Sequence, residues 1–205
     1  MSFLAAYLYD KVMADTEAAC LMQWREDLLE SVTGEVLEIG SGTGANLAFY
    51  NLPKVNLTLC EPESAMRKQL IQKIESQGLQ GINVTEDGAE SIQAESNSMD
   101  YVISTLVCCS VTNLQTSLAE IKRVLKPGGQ FIFLEHVGAT EGTSRRKWQN
   151  IINPIWKRIA GNCHLNRDTQ SAIIDAGFKV ESIEQESMRK AMPLVRPTIR
   201  GVAIK

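Results

Sequence analysis

The segment VLEIGSGTGANLAFY, residues 36–50, constrains this chain most. An apolar run ends in three glycines, Gly40, Gly42 and Gly44, and an acid, Glu38, stands two residues before the first. Glycine removes Cβ and admits left-handed backbone, so a small molecule can come directly against the main chain. A strand, a glycine turn and then a helix, expected here near 45–50, is the pattern of a cofactor-binding turn. The rest of the sequence has to say which cofactor.

The turn does not stand alone. After it, short apolar runs alternate with amphipathic ones. EVLEI (35–39), VNLTLC (55–60), GINVT (81–85), MDYVISTLV (99–107) and QFIFLEHV (130–137) read as strands. Met66, Leu70 and Ile74 give a helix over 63–77 its apolar stripe. Leu114, Leu118, Ile121 and Leu125 do the same for the helix before Pro127, Gly128 and Gly129. Before Gly34, Leu21, Trp24, Leu28 and Val32 recur at helical spacing, with Asp15 or Thr16 as the cap. Alternation of this kind predicts an α/β fold, a parallel sheet with helices on both faces. Ligands in such sheets sit at the carboxyl ends of the strands.

Bulk properties exclude other classes. The chain has 205 residues, enough for one domain over 1–205 with a full core. Its net charge of -3 offers no general attraction for nucleic acid. No apolar run reaches the length of a membrane span, and the start MSFLAAYLYDKVM reads as neither signal peptide nor transmembrane anchor. Five cysteines without a metal-type CxxC spacing predict a reduced, cytoplasmic protein, and no metal site is expected. No feature names an oligomeric state.

Two ligands fit the turn. Gly40, Gly42 and Ala45 match the dinucleotide pattern, and Glu61 ends the second strand where the ribose acid belongs. S-adenosylmethionine carries the same adenosine, with an amino acid tail in place of the pyrophosphate. Its ammonium needs an acceptor, which Glu38 supplies either directly or by shaping the turn.

Four further motifs carry a resemblance: E-I-G-S-G-T-G, E-P after strand two, M-D-Y-V before strand four, and IKRVLKPGGQFIFLEH. Together they resemble the class I S-adenosylmethionine-dependent methyltransferases of the type 11, UbiE-like group. The likeness runs from about Val32 to the C-terminus. It implies a Rossmann-like fold with a seven-stranded, mostly parallel sheet. TIRGVAIK (198–205) would be the antiparallel last strand and FKVESIEQE (178–186) its hairpin partner. A nearer likeness lies in GSGTGANLAFY, STLVCCSV, FLEHV and LVRPTIRGVAIK. These are similar to the membrane-associated thiol S-methyltransferases of animals and to small bacterial relatives. The animal proteins begin with an apolar anchor segment, which this sequence does not show.

The resemblance implies roles for particular positions. Glu38, Gly40, Ser41, Gly42, Gly44 and Asn46 form the cofactor turn. Glu61 accepts the ribose hydroxyls and Pro62 walls the adenosine. Gly88, Ala89 and Glu90, with Asp87, meet the adenine. Thr105, Leu106 and Val107 approach the methionine part. Cys108 and Cys109 are expected as buried thiols lining the cofactor. His136, at the end of strand five, is the candidate base, with an ordering role equally open; His164 is expected to be structural. Residues 1–33 form a helical cap and 138–170 a variable cover. Pro154 should kink or split the cover helix. That basic amphipathic segment is read first as a lid packed on the domain, with peripheral membrane contact as the other option. The product is S-adenosylhomocysteine and the partner a small, fairly apolar acceptor, a thiol first. Alternatives are a phospholipid or other N-, O- or C-acceptor, a non-catalytic cofactor-binding module, and an NAD-binding protein.

Overall fold

The computed structural model describes residues 3–205, with side chains from Asp10 onward. The N-terminal third of the helical content is one path. Helix α1 (Phe3–Thr16) runs through a π-helical turn (Glu17–Leu21) into α2 (Met22–Leu29). Thr16 therefore caps nothing; it sits in helical backbone within this path. Val32 lies beyond the helix end, where it is buried.

The sheet then builds strand by strand: β1 (Gly34–Ile39), β2 (Val55–Cys60), β3 (Ile82–Thr85), β4 (Met99–Thr105), β5 (Leu125–His136), β6 (Lys179–Ser187) and β7 (Pro197–Ile204). Its order is β3-β2-β1-β4-β5-β7-β6, and β7 runs antiparallel to both neighbours. The order reverses between β1 and β4, so their carboxyl ends flank the switch point. Strands β1, β4 and β5 are central and carry near-continuous apolar runs because both faces are covered. Two core clusters lie against the sheet. One gathers Leu118, Ile121, Phe131 and Phe133; the other gathers Leu29, Leu57, Leu70 and Ile103.

Helices α3 (Ser64–Ser76), α4 (Leu114–Val124), α5 (Ser144–Ile159) and α6 (Thr169–Asp175) follow. Asn113 caps α4 by accepting the Thr116 N–H at 3.1 Å, and Thr143 caps α5 by accepting that of Arg146 at 3.2 Å. Four expectations need correction. Residues 45–50 form no α-helix, only turns and a 3₁₀ turn (Leu47–Phe49). Strand β4 stops at Thr105 because Leu106 turns into left-handed backbone, φ 61°. Strand β5 begins at Leu125, with the Lys126–Gly129 stretch looping out between paired positions Leu125 and Gln130. Helix α5 runs unbroken through Pro154.

Candidate active site

The turn after β1 is held by its own backbone. Ser41 N–H donates to the Cys60 carbonyl at 3.0 Å, tying the turn to β2. Gly40 has φ 58°, and a Cβ there would lie 2.6 Å from Val107 Cγ2, so the turn and the β4 exit touch. Gly42 has φ 57°, but a Cβ would meet nothing within 4 Å. Two glycines thus do different work: Gly40 permits packing, and Gly42 leaves its backbone facing open space. Gly44 closes the turn by donating its N–H to the Ser41 carbonyl at 2.9 Å.

Two carboxylates flank this turn, each for its own reason. Glu61, buried at the end of β2, accepts the Gly42 N–H at 2.7 Å and the Glu63 N–H at 2.8 Å, one on each oxygen. A carboxylate offers about four lone-pair sites, so acceptor capacity remains on both oxygens. Burial pushes its pKa up, against the pull of those two N–H groups. Glu38 is buried beneath the turn and does not brace the glycine N–H groups. It accepts the Tyr50 hydroxyl at 2.6 Å. Desolvation raises its carboxyl to about 7, with Tyr50 and then Arg25 opposing.

Arg25 is the residue the sequence reading missed. It reaches from α2 into the gap between the turn and β4. Its guanidinium donates to Asn46 Oδ1 at 2.7 Å and Thr105 Oγ1 at 2.9 Å. A two-pronged pair with Glu17, in the π-helical turn, balances its charge. Asn46 Nδ2 closes the network by donating to Thr105 at 3.2 Å. A signal was present: Leu21, Arg25 and Leu29 recur every four residues, and an arginine inside an apolar stripe needs a buried partner.

The loop after β3 keeps its acids for itself. Glu90 accepts the Thr112 N–H at 2.7 Å, just ahead of α4, and Asp87 accepts that of Gln93 at 3.0 Å. Ala89 is buried beside Gly88, which bridges to Ser91. Pro62 is exposed and Met66 half-buried.

At the ends of β4 and β5 the chemistry changes from oxygen to sulfur. Glu135 is fully buried and accepts the Ser104 hydroxyl at 2.5 Å and the Val107 N–H at 3.2 Å, which fixes the β4 exit. Burial raises its pKa. His136 is buried next to it, with Nε2 3.2 Å from Cys163 Sγ and no partner on Nδ1. Cys109 Sγ, Cys163 Sγ and a ring nitrogen of His136 all lie within 4.8 Å of one another. The Cys163 thiol is held well below its ordinary range, first by Cys109 and then by His136, while Cys109 is pushed up. Cys108 lies apart from this group, within 3.4 Å of Ser104 Oγ. His164 ties its loop to the β4 exit: its backbone N–H donates to the Cys109 carbonyl at 2.8 Å.

The cover departs from expectation. The face of α5 turned to the protein carries Gln149, fully buried, which accepts the Ala139 N–H at 2.7 Å and donates to the Leu194 carbonyl at 2.8 Å. Trp148, Ile151, Ile155 and Ile159 are 57–74% exposed. These four point outward while Ile152 and Trp156 are half-buried, so most of the apolar stripe does not pack α5 onto the domain as a lid. Trp156 alone of the two helix tryptophans turns inward, to Cys163.

The dinucleotide reading loses its footing here. It places a pyrophosphate at an α-helix N-terminus, and only three-residue 3₁₀ turns follow here before β2. Comparison with known proteins points the same way. The model of a methyltransferase domain matches residues 37–133. Human thiol S-methyltransferase TMT1A is 35% identical over 200 residues, spanning 97% of this chain and 82% of that protein. Rat thiol S-methyltransferase TMT1B is 39% identical over 182 residues, 86% of this chain and 74% of its own. The crystal structure of the [4+2]-cyclase SpnF superposes with a TM-score of 0.73, covering 90% of this chain and 79% of that one at 17% identity. That last likeness speaks to the fold alone.

Proposed function

This chain belongs to the class I, type 11 S-adenosylmethionine-dependent methyltransferases, and from that premise we propose that it methylates a small, fairly apolar thiol. The observation that carries the acceptor is the 35% identity to a thiol S-methyltransferase across 97% of the chain, well beyond the cofactor turn.

The turn would hold the cofactor, with the open side of Gly42 giving room against the backbone. Glu61 accepts the ribose hydroxyls on the lone pairs its two N–H bonds leave free. Ala89 and its neighbours flank the adenine by backbone, since Glu90 and Asp87 are engaged within the protein. Asn46, Arg25 and Thr105 would border the amino acid tail, where the Arg25 guanidinium would offer positive charge for its carboxylate; Glu38, next to that network, would set the charge balance. Leu106 and Val107 would flank the methionine part, and the strand ends of β4 and β5 would receive the methyl acceptor. Methyl transfer is an in-line displacement that depends on a positioned lone pair. The nucleophile is a thiolate, and His136 serves it through the sulfur group it joins, not as a lone base.

Isothermal calorimetry with S-adenosylhomocysteine and turnover against alkyl and aryl thiols, amines and phenols test this. One binding site per chain and thiol turnover that rises with pH are expected. Turnover of amines or phenols with thiols inert overturns the acceptor. Glu61→Ala should weaken cofactor affinity and leave saturated turnover less affected; an unchanged affinity removes Glu61 from the site.

A second reading concerns location. The outward stripe of α5 is flanked by exposed Arg145, Lys147 and Arg158. Charge complementarity fits that face to an anionic lipid surface, where apolar thiols concentrate. Among the described residues no helix is long and apolar enough to cross a membrane.

A further inference from the structure

The strand ends of β4 and β5 hold three soft donors that come from three separate elements. Cys109 follows the β4 exit, His136 is the last residue of β5, and Cys163 lies in the loop after α5. Their donor atoms lie within 4.8 Å of one another, and Cys109 and His136 are each 3% exposed. The Cys163 loop is pinned to the β4 exit from both sides. The Asn162 side chain donates to the Ser110 carbonyl at 2.8 Å, and the Arg167 guanidinium donates to the Cys108 carbonyl at 2.6 Å. Packing and hydrogen bonds, not a covalent link, therefore hold the two thiols together; both are free cysteines.

We propose that Cys109, His136 and Cys163 form a binding site for a thiophilic, tetrahedral cation of the Zn²⁺ type, with three protein ligands and an open fourth position. Two thiolates and one imidazole are a donor set that suits Zn²⁺. Around a tetrahedral ion with bonds of about 2.0–2.3 Å, donors stand roughly 3.5–3.8 Å apart, so small side-chain rotations close the present spacing. Metal binding releases the thiol protons to water, and the two thiolates balance the dication. Cys163 is half-buried, which leaves one side of the group approachable.

The fourth position gives the site a use that rests on the thiol reading above. An acceptor thiol coordinates as thiolate and its proton passes to water. A sulfur lone pair then forms the bond to the methyl carbon while the carbon–sulfonium bond breaks. The products are a thioether and S-adenosylhomocysteine, and the neutral thioether, a weak ligand, leaves.

The test uses the full chain, stripped with a chelator and kept reduced with a phosphine, then titrated with Co²⁺ and displaced with Zn²⁺. Uptake of one Co²⁺ per chain with a sulfur-to-cobalt absorption band is expected. Cys109→Ser and Cys163→Ser should each weaken that band, and His136→Ala should weaken the affinity, with S-adenosylhomocysteine binding retained as a check on folding. No uptake, or a band unmoved in both serine variants, overturns the site. Should a variant fail to fold, alkylation of Cys163 in the unmodified protein decides: Zn²⁺ should slow it at least about tenfold, since coordination removes the free thiolate. Equal rates overturn the site. Added small thiols should shift the cobalt band; an unmoved band overturns the coordination step and leaves the cation site. Full thiol turnover by metal-free protein overturns the activation step and leaves the thiol acceptor standing.

Discussion

In α4 the stripe Leu114, Leu118, Ile121 and Val124 is buried against the sheet, whereas in α5 the stripe Trp148, Ile151, Ile155 and Ile159 faces outward. As sequence the two are alike: both repeat apolar residues at helical spacing and both carry basic residues beside the stripe. Amphipathicity shows that a helix has an apolar face; it does not say what that face meets. Helix α4 links two neighbouring strands, β4 and β5, and must lie on the sheet to do so. Helix α5 stands between β5 and α6 and fixes itself by polar means, through the buried Gln149 amide and the Asn153 side-chain Oδ1 that accepts the Leu165 N–H at 2.9 Å.

Three substitutions press on this contrast. The largest effect belongs to Leu118→Ala, which empties a fully buried site and should cost about 2–5 kcal/mol in denaturant unfolding. A cost near zero would mean that α4 does not pack as described. Next comes Gln149→Ala, which leaves the Ala139 N–H and the Leu194 carbonyl without their partner. It should cost about 1–3 kcal/mol, the range for stranding buried polar groups. No loss would show that water replaces the amide and that α5 is less firmly seated. The smallest effect on stability is expected from Ile155→Ser, within about 0.5 kcal/mol, because the side chain is 65% exposed. The same variant should markedly reduce sedimentation with anionic vesicles. A loss of stability comparable to that of Leu118→Ala would reverse the comparison, since the outward stripe would then be packed in solution.

Much of the fold was legible because its signals are local. The β1 run, the glycine turn and Glu61 each announce themselves within a few residues, and all three meet at the strand ends. The helix expected at 45–50 failed for a long-range reason that the spacing concealed. Asn46 is drawn into the Arg25 and Thr105 network, and the chain makes only 3₁₀ turns before β2. Strand β4 ends earlier than its apolar run predicts because nothing in STLV marks Leu106 for left-handed backbone.

The antiparallel close of the sheet follows from the family resemblance alone; by itself, the sequence determined the α/β alternation and the cofactor turn with its acids. These rest on periodicity and on residues near one another in the chain. Tertiary structure alone decided three matters. It carried Arg25 from α2 to Thr105, 80 residues away. It brought Cys109, His136 and Cys163 into one group without any sequence spacing that signals a metal site. It also turned most of the apolar face of α5 outward. In each case the deciding quantity is the free energy of a long-range contact: a buried charge finding partners, or soft donors held together by a folded loop. No window of neighbouring residues contains that contact.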